Sequence, residues 1–163
     1  IKACIEQNIA KLGIIGTQAT IGSNIYPAIF AEYGDRTRLY QKATPLLAPL
    51  IEAGQQNSEA MKAVLHDYLN DEQFAEQEAI LLACTHYPLI KEQVDQFFEG
   101  TKKILDNATP LANALKAYLG GKELLATKKK AENEFYVSRY SPNFEQTIRT
   151  FYGKHIEVRE VTI

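Results

Sequence analysis

The sequence predicts an α/β fold built on a doubly wound parallel sheet. Apolar runs and helical patterns alternate along the chain, and the order strand, helix, strand implies parallel pairing through right-handed crossovers. Two of the runs, Lys11–Thr17 and Ile80–Cys84, lack polar alternation, which is typical of strands covered on both faces. With 163 residues, 45% of them hydrophobic, the chain can bury a sizeable core.

Each element up to about residue 112 follows from apolar spacing and turn residues. Pro88, for example, suits the first turn of a helix that follows the second apolar run. Met61, Val64, Leu65 and Tyr68 recur at helical spacing and predict an amphipathic helix. In order, the sequence predicts a short helix over 2–10, a strand over 11–17, a polar loop over 18–24, a helix over 26–33, a strand over 38–43, a segment broken by Pro45, Pro49 and Gly54, a helix over 58–69, a strand over 80–84, a helix over 88–98 and a strand within 101–106.

The segment 113–163 is predicted to be distinct from a domain formed by residues 1–112. It is too small to own a core, so we expect it to pack onto something absent from this chain or onto a partner. A helix that is capped by Asn107–Pro110 and stops at Gly120-Gly121 leads into it. After that helix the sequence predicts a polar linker with the run Lys128–Lys130, a strand over 134–138, a helix with Phe144, Ile148 and Phe151 on its apolar face, and a strand over 156–161.

Composition excludes several classes of function. A net charge of −2 leaves no electrostatic footprint for nucleic acid or an anionic membrane. No apolar stretch approaches the roughly 20 residues of a membrane span, and no signal-peptide pattern is present, so the cytoplasm is the expected location. The two cysteines, Cys4 and Cys84, lack the spacing of a zinc site, and neither a metal site nor a disulfide framework is expected.

Cys84, Thr85 and His86 are the first candidates for chemistry. They follow a buried strand directly, and the carboxyl edge of an open α/β sheet is where ligands bind. A helix amino terminus and a neighbouring histidine both favour the thiolate, which is the reactive form of cysteine. On local grounds an inert buried thiol is an equal alternative for Cys84, and a capping or core histidine is the alternative for His86.

The loop Gly16–Thr20 has the same setting, between a strand end and a helix start. Thr17 and Thr20 carry hydroxyls, and together with the Cys84 loop they could face one small carboxylate. An ordinary helix cap is the alternative, because Gly-Thr-x-x-Thr also serves that purpose.

Several motifs in this order resemble the cofactor-independent glutamate racemases of the aspartate/glutamate racemase family, over nearly the whole chain. The most specific is Cys84-Thr85-His86-Tyr87-Pro88-Leu89, which resembles the second catalytic cysteine motif of that family, although Ala83 stands where glycine is usual. The others are Ile15–Ile21 with Ser23 and Tyr26, similar to its substrate-facing threonine loop, Pro45–Glu52, similar to its proline-rich segment, and Phe135–Ser138, similar to its tail.

The resemblance implies the racemase-like fold and the interconversion of L- and D-glutamate by two cysteines, which supplies D-glutamate for peptidoglycan without PLP, metal or other cofactor. Cys84 would be one acid/base and His86 its assistant. Thr85, Thr17 and Thr20 would contact the substrate, and Glu52 would complete the site as a polar partner of His86. For the full-length enzyme the resemblance further implies a homodimer.

One departure from the family is large. The family's other catalytic cysteine lies in a Cys-Asn-Thr motif of an amino-terminal domain, alongside an Asp-Ser pair, and neither motif occurs here. Cys4 is followed by Ile5-Glu6 in a predicted helix and is expected to be a small buried residue. The chain therefore corresponds to the carboxyl-terminal portion of such an enzyme and is expected to be inactive alone. The alternatives are a non-catalytic amino-acid-binding or protein-interaction module and a racemase of aspartate or hydantoin, although His-Tyr-Pro after Cys84-Thr85 favours glutamate.

Overall fold

The computed structural model describes residues 1–34, 36–126, 128, 133–141, 145, 148, 149, 152 and 156–162. A four-stranded parallel sheet in the order β2-β1-β3-β4 organises the first 106 residues, which confirms the predicted fold class. Phe144, Phe151 and two residues of the lysine run, Lys129 and Lys130, lie outside the described residues. The strands are β1 (Lys11–Gly16), β2 (Arg38–Ala43), β3 (Ala79–Leu82), β4 (Lys103–Asp106) and a separate parallel pair, β5 (Phe135–Val137) with β6 (Val158–Glu160).

Helices follow most of the strands, as the alternating pattern predicts. Pro88 lies in a 3₁₀ turn, Tyr87–Ile90, that leads into the helix after β3. The described helices are α1 (Lys2–Ile5), α2 (Gln18–Gly22), α3 (Ile25–Glu32), α4 (Leu47–Glu52), α5 (Glu59–Leu69), α6 (Glu72–Ala75), α7 (Lys91–Phe97) and α8 (Ala108–Gly121). Among the described residues, no helix combines the length and apolarity that a membrane crossing requires.

The core lies on both faces of the sheet because alternate residues of each strand point to opposite sides. On one face, Ile15, Ile80 and Leu82 pack with buried residues of α4, α5 and α7. On the other face, Leu12 and Ile14 pack with α1 and α3. Burial on both faces explains why β3, and β1 from Leu12 onward, contain no polar side chain.

Three described helices, α2, α4 and the single turn α6, occupy segments for which the sequence predicts none. The polar loop expected over 18–24 begins with α2, because Thr17 Oγ1 accepts a hydrogen bond from the Thr20 amide at 3.2 Å and caps the helix. The segment expected to be broken by prolines contains α4. Pro49 is tolerated there because it stands in the first turn, where an amide hydrogen has no intrahelical partner.

The start of α8 also differs from expectation. The Asn107 side chain makes no capping hydrogen bond, and Asp106 Oδ1 accepts instead from the Ala108 amide at 3.0 Å. The helix continues through Gly120 and ends at Gly121. Leu111, Leu115 and Tyr118 lie on one face of α8 and are 67%, 54% and 63% exposed. This helix therefore buries none of its own residues in the described structure.

Gly13 allows the closest packing across the sheet. A Cβ added there would lie 2.9 Å from Ile80 Cδ1 and 2.9 Å from Phe74 Cδ1, which no real contact permits. The ring of Phe74 is fully buried over this position and meets Tyr40 edge to face, with ring centroids 4.8 Å apart. The absent side chain thus makes room for an aromatic pair.

We expect Gly13→Ala to lower the free energy of unfolding by roughly 1–3 kcal/mol, because the added methyl group overpacks the core. Gly22→Ala is the matched control, since Gly22 is exposed in α2 and a Cβ there meets nothing within 4 Å. Urea unfolding followed by circular dichroism measures both variants. Equal midpoints for the two variants would contradict the close packing at Gly13.

Asp71 ties the edge strand β2 to the start of α6. Its Oδ2 accepts from Lys42 Nζ at 2.8 Å and from the Tyr40 hydroxyl at 2.7 Å, while its Oδ1 accepts from the Gln73 amide at 2.9 Å. The hydrogen bond from Lys42, followed by those from Tyr40 and Gln73, lowers the pKa of Asp71 to about 2. Burial, reinforced by Asp71, raises the pKa of Tyr40 to about 12, so the phenol remains a donor.

Asp71→Asn is expected to destabilise the chain at neutral pH and to have a progressively smaller effect in acid. Because the folded pKa is below the unfolded value of about 3.9, the stabilisation is complete above that value and is lost as the pH falls toward 2. Urea midpoints between pH 7 and pH 2 check this, with Asp67→Asn on the exposed face of α5 as control. A difference from the parent chain that stays constant down to pH 2 would contradict the assignment.

Candidate active site

The crossover connections place the carboxyl ends of three strands at one edge of the sheet. The connection after β1 passes over the face covered by α3, whereas the connection after β3 passes over the face covered by α7. Neighbouring strands whose connections leave in opposite directions form a crevice, which is where open α/β sheets bind ligands. Gly16 is paired with Ala43, and Ile15 with Leu82. Continuing this register brings Thr17, Thr44 and Cys84 next to one another.

Cys84 lies at this crevice beside His86. Its Sγ is 3.8 Å from His86 Nδ1, and the residue is 9% exposed. Thr85 Oγ1 is 3.4 Å from the same nitrogen. The turn into the 3₁₀ segment brings Cys84 and His86 together across one intervening residue, and the Tyr87 amide donates to the Cys84 carbonyl at 3.2 Å.

Glu52 reaches the other side of the imidazole. Its Oε1 lies 3.1 Å from His86 Nε2, and the two side chains are 62% and 34% exposed. Glu52 is the last residue of α4, a helix whose Leu47 and Ile51 are fully buried. The short distance between these two residues comes from the packing of α4 against the 3₁₀ turn, since they are 34 positions apart.

Thr17 and Thr20 form the adjacent wall. Their hydroxyls are 2.9 Å apart, and Thr17 Oγ1 also caps α2. Gly16 is close to the Cys84 strand, because a Cβ built on Gly16 would lie 3.5 Å from both the Cβ and the carbonyl oxygen of Ala83. The structure thus brings the threonine loop and the cysteine loop to one edge. The hydroxyl oxygen of Thr17 also serves as a helix cap, which was the alternative to a binding role.

Thr44 and the Tyr87 hydroxyl are two buried features of the site that the sequence does not predict. The Tyr87 hydroxyl is 2.7 Å from Thr44 Oγ1 and donates to the Thr44 carbonyl at 2.9 Å. Thr44 in turn donates from its amide and its hydroxyl to the Gly16 carbonyl, at 2.8 and 3.1 Å. The signal available in the sequence is that Thr44, like Thr17, lies at the end of a predicted strand.

The chain Cys84, His86, Glu52 is suited to moving one proton. If Nε2 carries the hydrogen that it donates to Glu52, Nδ1 is free to accept the thiol proton, which leaves a thiolate beside an imidazolium that the carboxylate stabilises. In such an arrangement the histidine takes the proton of the reactive group, and the carboxylate orients the histidine. Among the described residues, no group of three His, Cys, Asp or Glu side chains has the arrangement of a metal site.

Sequence comparison relates the chain to one class of enzyme. It is 33% identical to a glutamate racemase of Aquifex aeolicus (strain VF5) over 156 residues, which cover 96% of the chain and 58% of that protein. It is also 33% identical to glutamate racemase 2 of Caldanaerobacter subterraneus subsp. tengcongensis over 147 residues, 90% of the chain and 56% of that protein. No family model matches. The chain thus spans a little over half the length of these relatives.

Solved structures lead to the same class. Glutamate racemase from Francisella tularensis in complex with D-glutamate superimposes with a TM-score of 0.86 at 27% identity, over 98% of this chain and 60% of that one. Glutamate racemase from Thermus thermophilus in complex with β-chloro-D-alanine superimposes with a TM-score of 0.76 at 30% identity, over 94% and 57%. The resemblance seen in the motifs and the racemase-like fold are both confirmed.

We expect iodoacetamide to modify Cys84 faster than Cys4, although Cys4 is only slightly less exposed, at 7%. Burial raises the pKa of the Cys4 thiol, whereas Cys84 has an imidazole nitrogen, His86 Nδ1, 3.8 Å from its Sγ that can take the thiol proton. His86→Asn should slow the reaction of Cys84 by about threefold or more at pH 7 and leave Cys4 unchanged. Mass spectrometry of tryptic peptides measures each thiol separately.

His66→Asn is the matched control, since His66 is exposed on α5 and contacts Phe97 rather than either cysteine. An alkylation rate at Cys84 that His86→Asn does not change would show that the imidazole has no influence on the thiol.

Proposed function

This chain is a relative of the glutamate racemases, and we propose that it supplies one of the two acid/base groups of such an enzyme. The observation that carries the proposal is the arrangement of Cys84, His86 and Glu52 at the crevice between β1 and β3, in a chain with this similarity. The substrate would be glutamate, the ligand bound by the Francisella relative. Its D-enantiomer would serve peptidoglycan synthesis in the cytoplasm.

In the proposed reaction, the Cys84 thiolate removes the α-proton from one face of glutamate. The C–H bond breaks, an S–H bond forms, and the electron pair left on the α-carbon is delocalised into the carboxylate. A second thiol then donates its proton to the opposite face, which inverts the centre. In the reverse direction Cys84 is the thiol that donates. His86 and Glu52 would control which of these two forms Cys84 takes.

The threonine hydroxyls would hold the substrate at this edge of the sheet. Thr17 and Thr20 lie at the start of α2 and Thr85 follows Cys84, and each hydroxyl offers both a donor and an acceptor. Such groups can bind the carboxylate and amine of an amino acid without introducing a competing charge. The ends of β1, β2 and β3 thus supply one wall of the site. The second thiol must come from elsewhere, because Cys4, in α1, packs with Leu12 and Phe30 in a different core cluster from Cys84.

An amino-terminal domain would supply the second thiol and cover the exposed residues of α8. The relatives are longer than this chain by more than a third of their length. Leu111, Leu115 and Tyr118 present an apolar face that the described structure leaves uncovered, and burial of such a face is the usual reason for a domain contact. We therefore propose that residues 113–163 pack against that domain.

The test is a racemase assay on L-glutamate with the chain alone and with an amino-terminal domain carrying a Cys-Asn-Thr motif restored upstream. We expect activity only in the longer protein, together with incorporation of solvent deuterium at the α-carbon of the product. In that protein Cys84→Ala should lower kcat by about 10³-fold or more, because one face loses its acid/base.

Cys4→Ala is the matched control and should retain activity within about twofold, since Cys4 has no role in the proposed reaction. Racemisation by the 163-residue chain alone would overturn the two-thiol account. Parallel assays with L-aspartate and a hydantoin test the other racemases, and glutamate binding without deuterium exchange would instead support a non-catalytic module.

A further inference from the structure

Tyr87 connects the cysteine turn to the rest of the sheet by a buried contact. The side chain is fully buried, and its hydroxyl meets both the hydroxyl and the carbonyl oxygen of Thr44. Burial, with a smaller effect of the nearby Cys84, raises the pKa of Tyr87 to about 12. The phenol therefore keeps its proton at all ordinary pH values and acts as a permanent donor.

Thr44 connects Tyr87 to the end of the neighbouring strand β1. Its hydroxyl and its amide both donate to the carbonyl of Gly16, the residue before Thr17. The hydroxyls of Tyr87 and Thr44 have two protons, and four oxygens can accept them: the two hydroxyl oxygens and the carbonyls of Thr44 and Gly16. Every arrangement of those protons therefore connects Thr44 to Tyr87 or to Gly16. Tyr87, in the cysteine turn, and Gly16, next to the threonine loop, are thus linked through Thr44.

The same contact determines where α4 begins. The Thr44 carbonyl accepts from Tyr87 and also from the Leu47 amide at 3.2 Å, in the first turn of α4. The other end of α4 carries Glu52, which contacts His86. Tyr87 and His86 are adjacent, so two consecutive residues are connected to opposite ends of one helix of about 9 Å, Tyr87 through Thr44 and His86 through Glu52. A change at the Thr44 end would move Glu52 relative to His86.

We propose that Tyr87 and Thr44 are positioning residues that set the arrangement of Cys84, His86 and Glu52. They do not touch the reacting atoms. Through the Gly16 carbonyl they fix the cysteine turn against the threonine loop, and through α4 they fix the carboxylate against the imidazole. The inference rests on the proposed function, because it concerns the residues assigned there to proton transfer.

The test measures the pH profile of Cys84 alkylation in the full 163-residue chain, which reports the surroundings of the thiol independently of racemisation. Tyr87→Phe removes only the phenolic hydroxyl, and Thr44→Val replaces the threonine hydroxyl with a methyl group. Each is expected to change the rate of Cys84 alkylation at least about threefold at the midpoint of the profile, since thiol reactivity follows its local partners. The double variant should show no more change than the larger single effect, because both variants break one linkage.

Two matched variants separate positioning from stability. Thr44→Ser keeps the hydroxyl and should restore the parent profile. Tyr40→Phe removes an equally short hydroxyl contact, to Asp71 on the same sheet, and should lower the urea midpoint without changing the Cys84 profile. If Tyr87→Phe does not fold, Thr44→Val against Thr44→Ser carries the comparison alone.

A parent-like profile in Tyr87→Phe or Thr44→Val, with a lowered urea midpoint, would assign these residues to stability only and overturn the inference. Kinetics in the longer protein separate this failure from that of the proposed function. If Cys84→Ala retains racemisation, the proposed function fails. If Cys84→Ala is inactive and Tyr87→Phe keeps the parent kcat, only the positioning role fails; a fall in kcat of about tenfold with KM little changed supports it.

Discussion

The site depends on one constraint of the sheet, which is that β1 and β3 are neighbours whose connections leave toward opposite faces. This topology opens the crevice at their carboxyl ends, and parallel pairing places Thr17, Thr44 and Cys84 at the same height along three adjacent strands. The apolar residues that make β1 and β3 strands also bury them on both faces. Stability and site geometry therefore derive from the same residues, and the loops only add polar groups to an edge that the core has already defined.

Around that edge, short helices have a larger part in the site than long ones. The six residues of α4 are anchored by Leu47 and Ile51 in the core, and they carry Glu52 to an imidazole that precedes the 3₁₀ turn. The five residues of α2 hold Thr17 and Thr20 in one fixed pair. Neither helix would be stable in isolation, since helices of this length depend on tertiary contacts. Packing against the core fixes the positions of these helices. The apolar core therefore also fixes the positions of the polar side chains that they carry.

These dependencies explain what the sequence could and could not predict. The strands and the position of Cys84 were predictable because an apolar run and a terminal thiol are local patterns. The helix at Gln18–Gly22 was missed because its cap, Thr17, resembles a loop residue, and α4 was missed because prolines flank and enter it. The contact between Tyr87 and Thr44 spans 43 positions and involves two residue types with many ordinary uses. The two residues come together only once the sheet has formed, so no local pattern predicts their contact.

His86 and Tyr87, which connect to the two ends of α4 through Glu52 and Thr44, limit where the chain can gain or lose residues. The spacing between Cys84 and Tyr87 is fixed, because the thiol contacts His86, the imidazole contacts Glu52 and the phenol contacts Thr44. An inserted or deleted residue there would rotate every later side chain away from its partner. The turn after α7, in contrast, has Glu99 and Gly100 exposed with positive φ and ends in an edge strand. Descendants of this sequence should accordingly keep the spacing from 84 to 87 invariant while the connection near residue 100 varies in length.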